Sequence, residues 1–429
     1  MKRTLLAFLS AALLWASFPP LAWAPAGWVA LAPLLLALDG ATARQGLRLG
    51  FLAGLLLFAG ATPWLWRIFG WHAIGLWAFE AVFPAVFGLL VAAAGRRRAD
   101  WHMVCVPALW VGMEWIPAEG NPLRFGWFVL GLSQSSCPPL LQAADLAGAY
   151  GLSFLMVLVS AALLHRPRIP AAVALLAVIG YGARVAPRWN LRGEVPAAVV
   201  QSEEDPEALP RMTPAARLVV WPELAFPYDP KQTPRVPGSV LVVGCVGGEM
   251  GEKGWLNRAL VVGPDGKVLG EYVKHVPIPF FNDGVAGVGF PVFPTPAGRL
   301  GVCICYDLDH AWVARGLVRA GAEVLAVPTM DPKHWGALQH VQHTANARVR
   351  AVTHRRFLVR ACSSGISQVI APDGRIEAEV PDMKEGSATG KVSPVRTLSP
   401  CDRGGWLLAP FCAVWLGVVA VWSLFWRRA

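Results

Sequence analysis

Apolar residues run along this chain in two textures. From 4 to 187, and again from 405 to 426, they form long stretches interrupted by few polar positions; from 188 to 404 they come in short β-branched bursts broken by Pro, Gly and Asp. A bilayer core of about 30 Å is crossed by about 20 apolar residues in a helix. The long stretches therefore predict eight membrane spans, at 4–22, 25–39, 46–66, 72–94, 101–117, 145–164, 169–187 and 405–426. The short bursts predict strands at 195–201, 216–225, 239–248, 258–264, 267–273, 299–307, 322–329, 356–364 and 367–372, with helices at 309–321 and 335–355. Pro264-Asp265-Gly266 and Pro372-Asp373-Gly374 have the chemistry of hairpin turns. Strands this apolar need cover on both faces, which predicts a layered α/β sandwich. The expected organisation is a membrane domain over 1–187 with seven transmembrane helices, an extramembrane domain over 188–404 and a C-terminal transmembrane helix over 405–429.

Composition strengthens that picture. Of 429 residues 55% are hydrophobic and only 15% charged, with 20 tryptophans, which excludes an ordinary soluble protein. Lys2-Arg3 before an apolar run and Ala22-Trp23-Ala24 imitate a cleavable signal peptide, but apolar sequence resumes at once, so a span is the better reading. The net charge of +10 is a topology signal. With the N-terminus inside, Arg44 and Arg48, Arg96-Arg97-Arg98, His165-Arg166-Pro167-Arg168 and Arg427-Arg428 all fall on the inner side, as short cytoplasmic loops require. The interval 188–404 is then expected on the opposite, periplasmic face of a bacterial inner membrane. Arginines scattered between spans do not make a nucleic-acid surface, and no nucleic-acid partner is expected.

Eight cysteines occur without a CxxC pair or regular spacing, so neither a disulfide framework nor a zinc site is indicated. His334, His340 and His343 lie close together with Asp331 nearby, but the reading adopted is one without metal. The chemistry instead concentrates in three motifs. VVWPELAF places Glu223 just beyond an apolar strand; YVKHVPIPF places Lys274 at the end of a hairpin strand; GVCICYDLDH places Cys305 at the end of another. Groups at strand ends of one sheet converge. An ammonium favours a thiolate, a carboxylate accepts its proton, and the same ammonium stabilises a tetrahedral oxyanion. Taken singly, each residue reads equally well as a packed cysteine, a capping glutamate or a surface lysine.

The order WPE, YVK, CICYD resembles the carbon–nitrogen hydrolase (nitrilase) superfamily, and a domain of that kind between seven leading spans and one trailing span resembles its apolipoprotein N-acyltransferase branch. QHVQHTANARVRA (339–351) and RFLVRACSSGISQVIAPDGRI (356–376) are similar to the helix and strand pair that follow the cysteine in that family. The resemblance implies an αββα sandwich with Glu223 as general base, Lys274 as oxyanion-stabilising ammonium, Cys305 as nucleophile and the Tyr306 backbone N–H as a second oxyanion donor. It implies no cofactor. It also implies that Cys305 takes an acyl chain from a phospholipid as a thioester and passes it to the α-amine of a diacylglyceryl lipoprotein, by ping-pong catalysis among membrane lipids. Strand alternation puts Cys303 deeper on the same face and leaves Cys305 as the exposed elbow. Phe226, Phe280, Phe281, Trp312 and Trp335 are the candidate apolar rim that keeps water from the thioester, and Glu114, in WVGMEWIP, is a candidate at the lipid entrance.

The chain departs from the branch at several positions. The string VPIPFFNDG puts Asn282 where the acyltransferases carry a glutamate supporting the lysine, with Asp283 beside it; a neutral amide there would hydrogen-bond the lysine without compensating its charge. Asp307 stands where a glutamate is frequent, Thr353 replaces an acidic residue, and a Pro-rich connection at 226–238 replaces helices that normally cover one layer. These departures keep open a membrane-tethered nitrilase-type amidase, an acyltransferase with another acceptor amine, and a degenerate binding domain.

Overall fold

The computed structural model describes residues 1–95, 99–164, 169–203, 205, 207–227 and 234–426. The basic clusters Arg96-Arg97-Arg98, His165-Arg166-Pro167-Arg168 and Arg427-Arg428, and the middle of the 226–238 connection, lie outside these residues. The chain forms two compact units, Met1–Val185 with Gly404–Ala429, and Ala186–Arg403.

The first unit is helical, and the expectation of eight spans is met only in part. Among the described residues three helices are long and apolar enough to cross a membrane: His72–Ala94, Ala144–Ala162 and Ile169–Trp189. Proline accounts for much of the difference, because it lacks an N–H and clashes with the preceding turn. The first expected span stops at Ser17, before Pro19-Pro20. The second divides into Ala24–Gly27 and Ala32–Leu38, and the third ends at Ala61, ahead of Pro63 and a separate short helix Trp64–Phe69. Helix Ala99–Glu119 contains Pro107 and Pro117, and the C-terminal helix is Leu408–Trp426. Hydropathy did not show the buried 3-10 segment Leu130–Ser136, whose Gln134 accepts a hydrogen bond from Trp28 Nε1 at 2.9 Å.

Helix Ala43–Ala61 packs on His72–Ala94 through small residues four apart. Gly46 and Gly50 meet the backbone of Gly88 and Pro84, and a Cβ on either glycine would collide with a carbonyl oxygen there. Gly54 rests on Ala81 and Pro84. Such spacing brings helix backbones close where lipid gives no hydrophobic drive to association.

In the second unit the strands are β1 Val195–Gln201, β2 Leu218–Val220, β3 Phe226–Pro227, β4 Val240–Gly247, β5 Leu256–Val262, β6 Val268–Val273, β7 Val292–Thr295, β8 Gly298–Val302, β9 Val324–Thr329, β10 Phe357–Cys362, β11 Ser367–Ile370, β12 Ile376–Val380 and β13 Gly386–Val392. They form two sheets, ordered β13-β1-β2-β4-β5-β6 with β3 beside β4, and β12-β11-β10-β9-β8-β7. The period-two rule is visible in β1. Ala197 and Val199 join the core between the sheets, whereas Ala198 and Val200 join a second cluster on the outer face.

Helices Ala311–Arg319 and Ala337–His354 contribute Val313, Leu317, Ala347 and Ala351 to the main core. On the outer cluster of the first sheet the packed helix is the five-residue Ala208–Met212, so the αββα sandwich is lopsided, as the shortened connections imply. Strands β3, β7, β12 and β13 had no sequence signal. They are short or half-exposed and lack the continuous apolar run of a central strand.

Replacing Gly50 by Val is expected to lower the thermal midpoint of the detergent-solubilised protein by about 5 °C, while Gly60→Val, whose Cβ would meet open space, leaves it unchanged; differential scanning fluorimetry reads both.

Candidate active site

Each chemically interesting group sits just beyond the end of a strand. β2 ends at Val220, and the Trp221-Pro222 corner turns Glu223 inward. The corner packs so closely on β4 that a side chain at Gly244 would strike the backbone of Pro222 and Glu223. Lys274 follows the last residue of β6, Val273. β8 ends at Val302, earlier than the expected 299–307 strand, and a 3-10 turn over Cys305–Asp309 follows. Cys303 therefore lies past the strand as part of the core, and it is separated from Cys305 by a change of backbone direction more than by strand alternation.

Cys305 has φ of +49°, a left-handed conformation that costs a non-glycine residue about 1 kcal/mol. It marks a sharp turn that presents one side chain away from the chain's general course. The expected exposed elbow is corrected here: Cys305 is only 2% exposed.

Glu223, Lys274 and Cys305 do come together. Lys274 Nζ donates to Glu223 Oε1 at 2.8 Å and pairs with Asp283 Oδ2 at 2.7 Å. Glu223 Oε1 also accepts from Asn257 Nδ2 at 2.7 Å, and Glu223 Oε2 from the Met330 backbone N–H at 2.8 Å. The Met330 carbonyl, just beyond β9, accepts from the Cys305 thiol, 3.7 Å from Sγ. Asn257 Nδ2 reaches Asp283 Oδ1 at 2.8 Å, so one amide ties the two carboxylates together.

The electrostatics follow from burial. Burial disfavours a charged Glu223 and raises its pKa above the ordinary 4.5, against the pull of Lys274. For Lys274 burial acts downward, but the combined attraction of Glu223, Asp283 and Cys305 outweighs it and holds the ammonium well above its ordinary value. Burial also lifts the Cys305 thiol well above 9.0, with Glu223 adding to the rise and Lys274 opposing it. The resting arrangement is a neutral thiol beside a charged lysine.

One supporting residue needs correction. Asn282 does not support the lysine: its Oδ1 accepts from Trp255 Nε1 and its Nδ2 donates to the Gly251 carbonyl, both at 2.8 Å. Asp283 faces the ammonium instead, and its carboxylate also accepts from the Ile278 N–H at 2.8 Å. Charge compensation is thereby retained, one position along. The left-handed Phe280, φ +69°, lies in the loop where this register changes.

Asp307 does not touch the thiol. Its oxygens accept from the N–H groups of His275, Val276 and Ile304 and from the Tyr272 hydroxyl, at 2.8–3.0 Å, pinning the segment after Lys274 to the cysteine turn.

The expected apolar rim divides. Phe281 and Trp335 meet with ring centroids 6.0 Å apart, and Phe280 beside them is 70% exposed. Trp312 belongs to a different stack with His275 and Phe290, and Phe226 packs on the outer cluster of the first sheet. Glu114 lies in the first unit, where its Oε1 accepts from Trp110 Nε1 at 2.6 Å and from the Leu130 N–H at 2.8 Å, capping the buried 3-10 segment. Sequence reasoning missed Asn257 and the Met330 peptide. An amide inside an apolar strand and an anonymous main-chain group carry no motif.

The family model "Apolipoprotein N-acyltransferase N-terminal domain" matches residues 10–162, and "Carbon-nitrogen hydrolase" matches 175–397. An apolipoprotein N-acyltransferase of Geobacter metallireducens is 31% identical over 99% of this chain and 95% of its own length. One from Pseudomonas putida is 28% identical over 75% of this chain and 74% of its own. Among solved structures, an amidase of the nitrilase superfamily from Nesterenkonia AN1 covers 47% of this chain and 92% of its own, with 22% identity and a TM-score of 0.39.

Asp283→Asn is expected to lower turnover about tenfold or more and Asn282→Ala to change it less than about threefold. If Glu223 accepts a proton in the reaction it must be ionised, so kcat/KM is expected to fall as pH drops through a value above 4.5. The Asp283 charge contributes to that rise, so Asp283→Asn moves the acidic limb to lower pH. Steady-state rates across pH check both.

Proposed function

Because this chain belongs to the apolipoprotein N-acyltransferases of the carbon–nitrogen hydrolase superfamily, we propose that its acyl transfer runs through Cys305, with Glu223 as the base and Lys274 as the oxyanion partner. The observation carrying this reading is the buried contact of Lys274 with Glu223 at 2.8 Å, next to a thiol whose ionisation both groups influence. The protein is an acyltransferase acting on lipoproteins, and phospholipid and lipoprotein are its substrates in general terms.

In the first half-reaction Glu223 takes the Cys305 proton while Sγ attacks the ester carbonyl of a phospholipid. The carbonyl oxygen becomes an oxyanion that receives the remaining donor of Lys274 and the Tyr306 backbone N–H. Collapse breaks the ester C–O bond. Glu223 returns its proton to the departing lysophospholipid oxygen, leaving a thioester on Cys305.

In the second half-reaction the α-amine of a diacylglyceryl cysteine attacks the thioester, and Glu223 accepts the amine proton. The C–S bond breaks and the thiolate recovers that proton, giving an amide and the starting enzyme. The Glu223 and Asp283 carboxylates around Lys274 favour its ammonium form. Asn257 and the Met330 N–H keep the base from swinging away.

The unit Ala186–Arg403 serves as the catalytic domain, and the helical unit as a multi-pass membrane domain of a bacterial inner membrane, with the catalytic domain on the extracytoplasmic side. The gathering of arginines into one set of connecting segments supports that orientation. Phe280, Phe281 and Trp335 form an apolar margin suited to excluding water from the thioester.

Incubating the purified protein with phospholipid is expected to add one acyl chain to the Cys305 peptide in mass spectrometry, and Cys305→Ser removes the adduct. In a strain depleted of its own lipoprotein acyltransferase the wild-type gene restores growth and Cys305→Ser does not. Turnover of a soluble amide with no lipid adduct would instead indicate an amidase.

A further inference from the structure

His343 stands out in the sequence and has no part in the transfer scheme, yet it lies at the back of the site. It projects from helix Ala337–His354 and is 3% exposed. Its Nδ1 is 2.7 Å from Asp331 Oδ1, and its Nε2 is 3.7 Å from Asp309 Oδ1. Asp309 closes the 3-10 turn that Cys305 opens. Asp331 directly follows Met330, the residue whose N–H holds Glu223 and whose carbonyl faces the thiol. A single imidazole thus spans the two backbone segments that enclose the sulfur.

The surroundings make this bridge rigid. Arg360 Nη2 lies 2.6 Å from Asp331 Oδ2 and 3.0 Å from His343 Nδ1, and Gln339 Nε2 donates to Asp331 Oδ1 at 3.1 Å. On the other side Asn346 Nδ2 donates to Asp309 Oδ1 at 2.6 Å, while Arg350 donates to the carbonyls of Leu308 and Asp309 at 2.9 and 2.5 Å. Cys362 Sγ stands 3.9 Å from Asp331, and neighbouring His340 is occupied with Asp382 and the Pro332 carbonyl. Burial acts to raise the Asp331 pKa, but His343 and Arg360 more than offset it and hold the carboxyl far below its usual range. Asp331 is therefore a fixed negative anchor for the Arg360 guanidinium and the His343 imidazole.

We propose that His343 is a positioning residue which, by linking Asp309 to Asp331, sets the distance between the Cys305 turn and the Met330 peptide. The proposal rests on Cys305 and Glu223 acting as described above. Displacing reacting groups by about 1 Å costs as much as a hundredfold in rate, so loss of this link slows attack by the sulfur without altering how lipid binds.

The test uses the full-length protein in detergent with phospholipid, comparing wild type, His343→Leu and His343→Gln. Thioester formation on Cys305 is followed by rapid quench and mass spectrometry over a range of phospholipid concentrations. His343→Leu is expected to slow acylation about tenfold or more with the half-saturating phospholipid concentration unchanged within about twofold. His343→Gln, which keeps a hydrogen-bonding amide at the site, is expected to recover most of the rate. Leucine acylating at the wild-type rate overturns the proposal. So does an equal loss in both variants that follows their fraction of folded protein. A second arm measures alkylation of Cys305 by iodoacetamide with peptide mapping and needs no lipid. It is expected to change about threefold or more in His343→Leu and to stay at the wild-type rate in His343→Gln; no change in His343→Leu again overturns the proposal. A wild-type protein that forms no lipid adduct but shows that alkylation difference faults the acyl-transfer reading and leaves the His343 link standing.

Discussion

The site is organised around a buried positive charge. Lys274 is fully buried, and an ammonium removed from water is tolerated only where carboxylates replace its hydration. Glu223 and Asp283 both do so, at 2.8 and 2.7 Å. Two carboxylates so close would repel each other strongly; the ammonium between them and the Asn257 amide across them make the cluster stable. Removing any member leaves an uncompensated charge or an empty donor in a low-dielectric interior. The same balance holds the Lys274 ammonium well above its ordinary pKa.

The sandwich supplies the geometry for this balance. β2, β6, β8 and β9 each deliver one group just past their last paired residue, and strands drawn from both sheets hold those ends. Asp307 connects two of the ends by accepting N–H groups from the segments after β6 and β8. The left-handed backbone at Cys305 is the local strain this arrangement carries. It is sustained by surrounding contacts from Arg350 and Asn346, which fasten the far side of the same turn.

The helical unit is governed by different physics. Where lipid surrounds a helix, apolar side chains gain little from touching one another, so close backbone approach and internal hydrogen bonds decide the packing. Gly46, Gly50 and Gly54 permit such an approach. Ser10 and Ser160 donate to the carbonyls of Ala30 and Trp28, and Gln134 accepts from the Trp28 indole, so these side chains find their partners inside the unit. Glu114 does the same for the start of a buried non-helical segment.

By itself the sequence determined those properties that depend on local pattern. Short continuous apolar runs located the central strands, β1 to the residue, and the long apolar stretches located most of the helical unit, because both signals arise from residues adjacent in the chain. The order of Glu223, Lys274 and Cys305 in three short motifs was enough to point to the family. Tertiary structure decided which carboxylate serves the lysine, since the loop through Phe280 presents Asp283 and turns Asn282 toward Trp255. It also decided where helices break, which edge strands form, that the sulfur is buried, and that Asn257 and the Met330 peptide face the base. Those outcomes depend on groups distant in sequence meeting in a packed interior, where hydrogen-bond geometry and charge compensation select among neighbours that local pattern leaves equivalent.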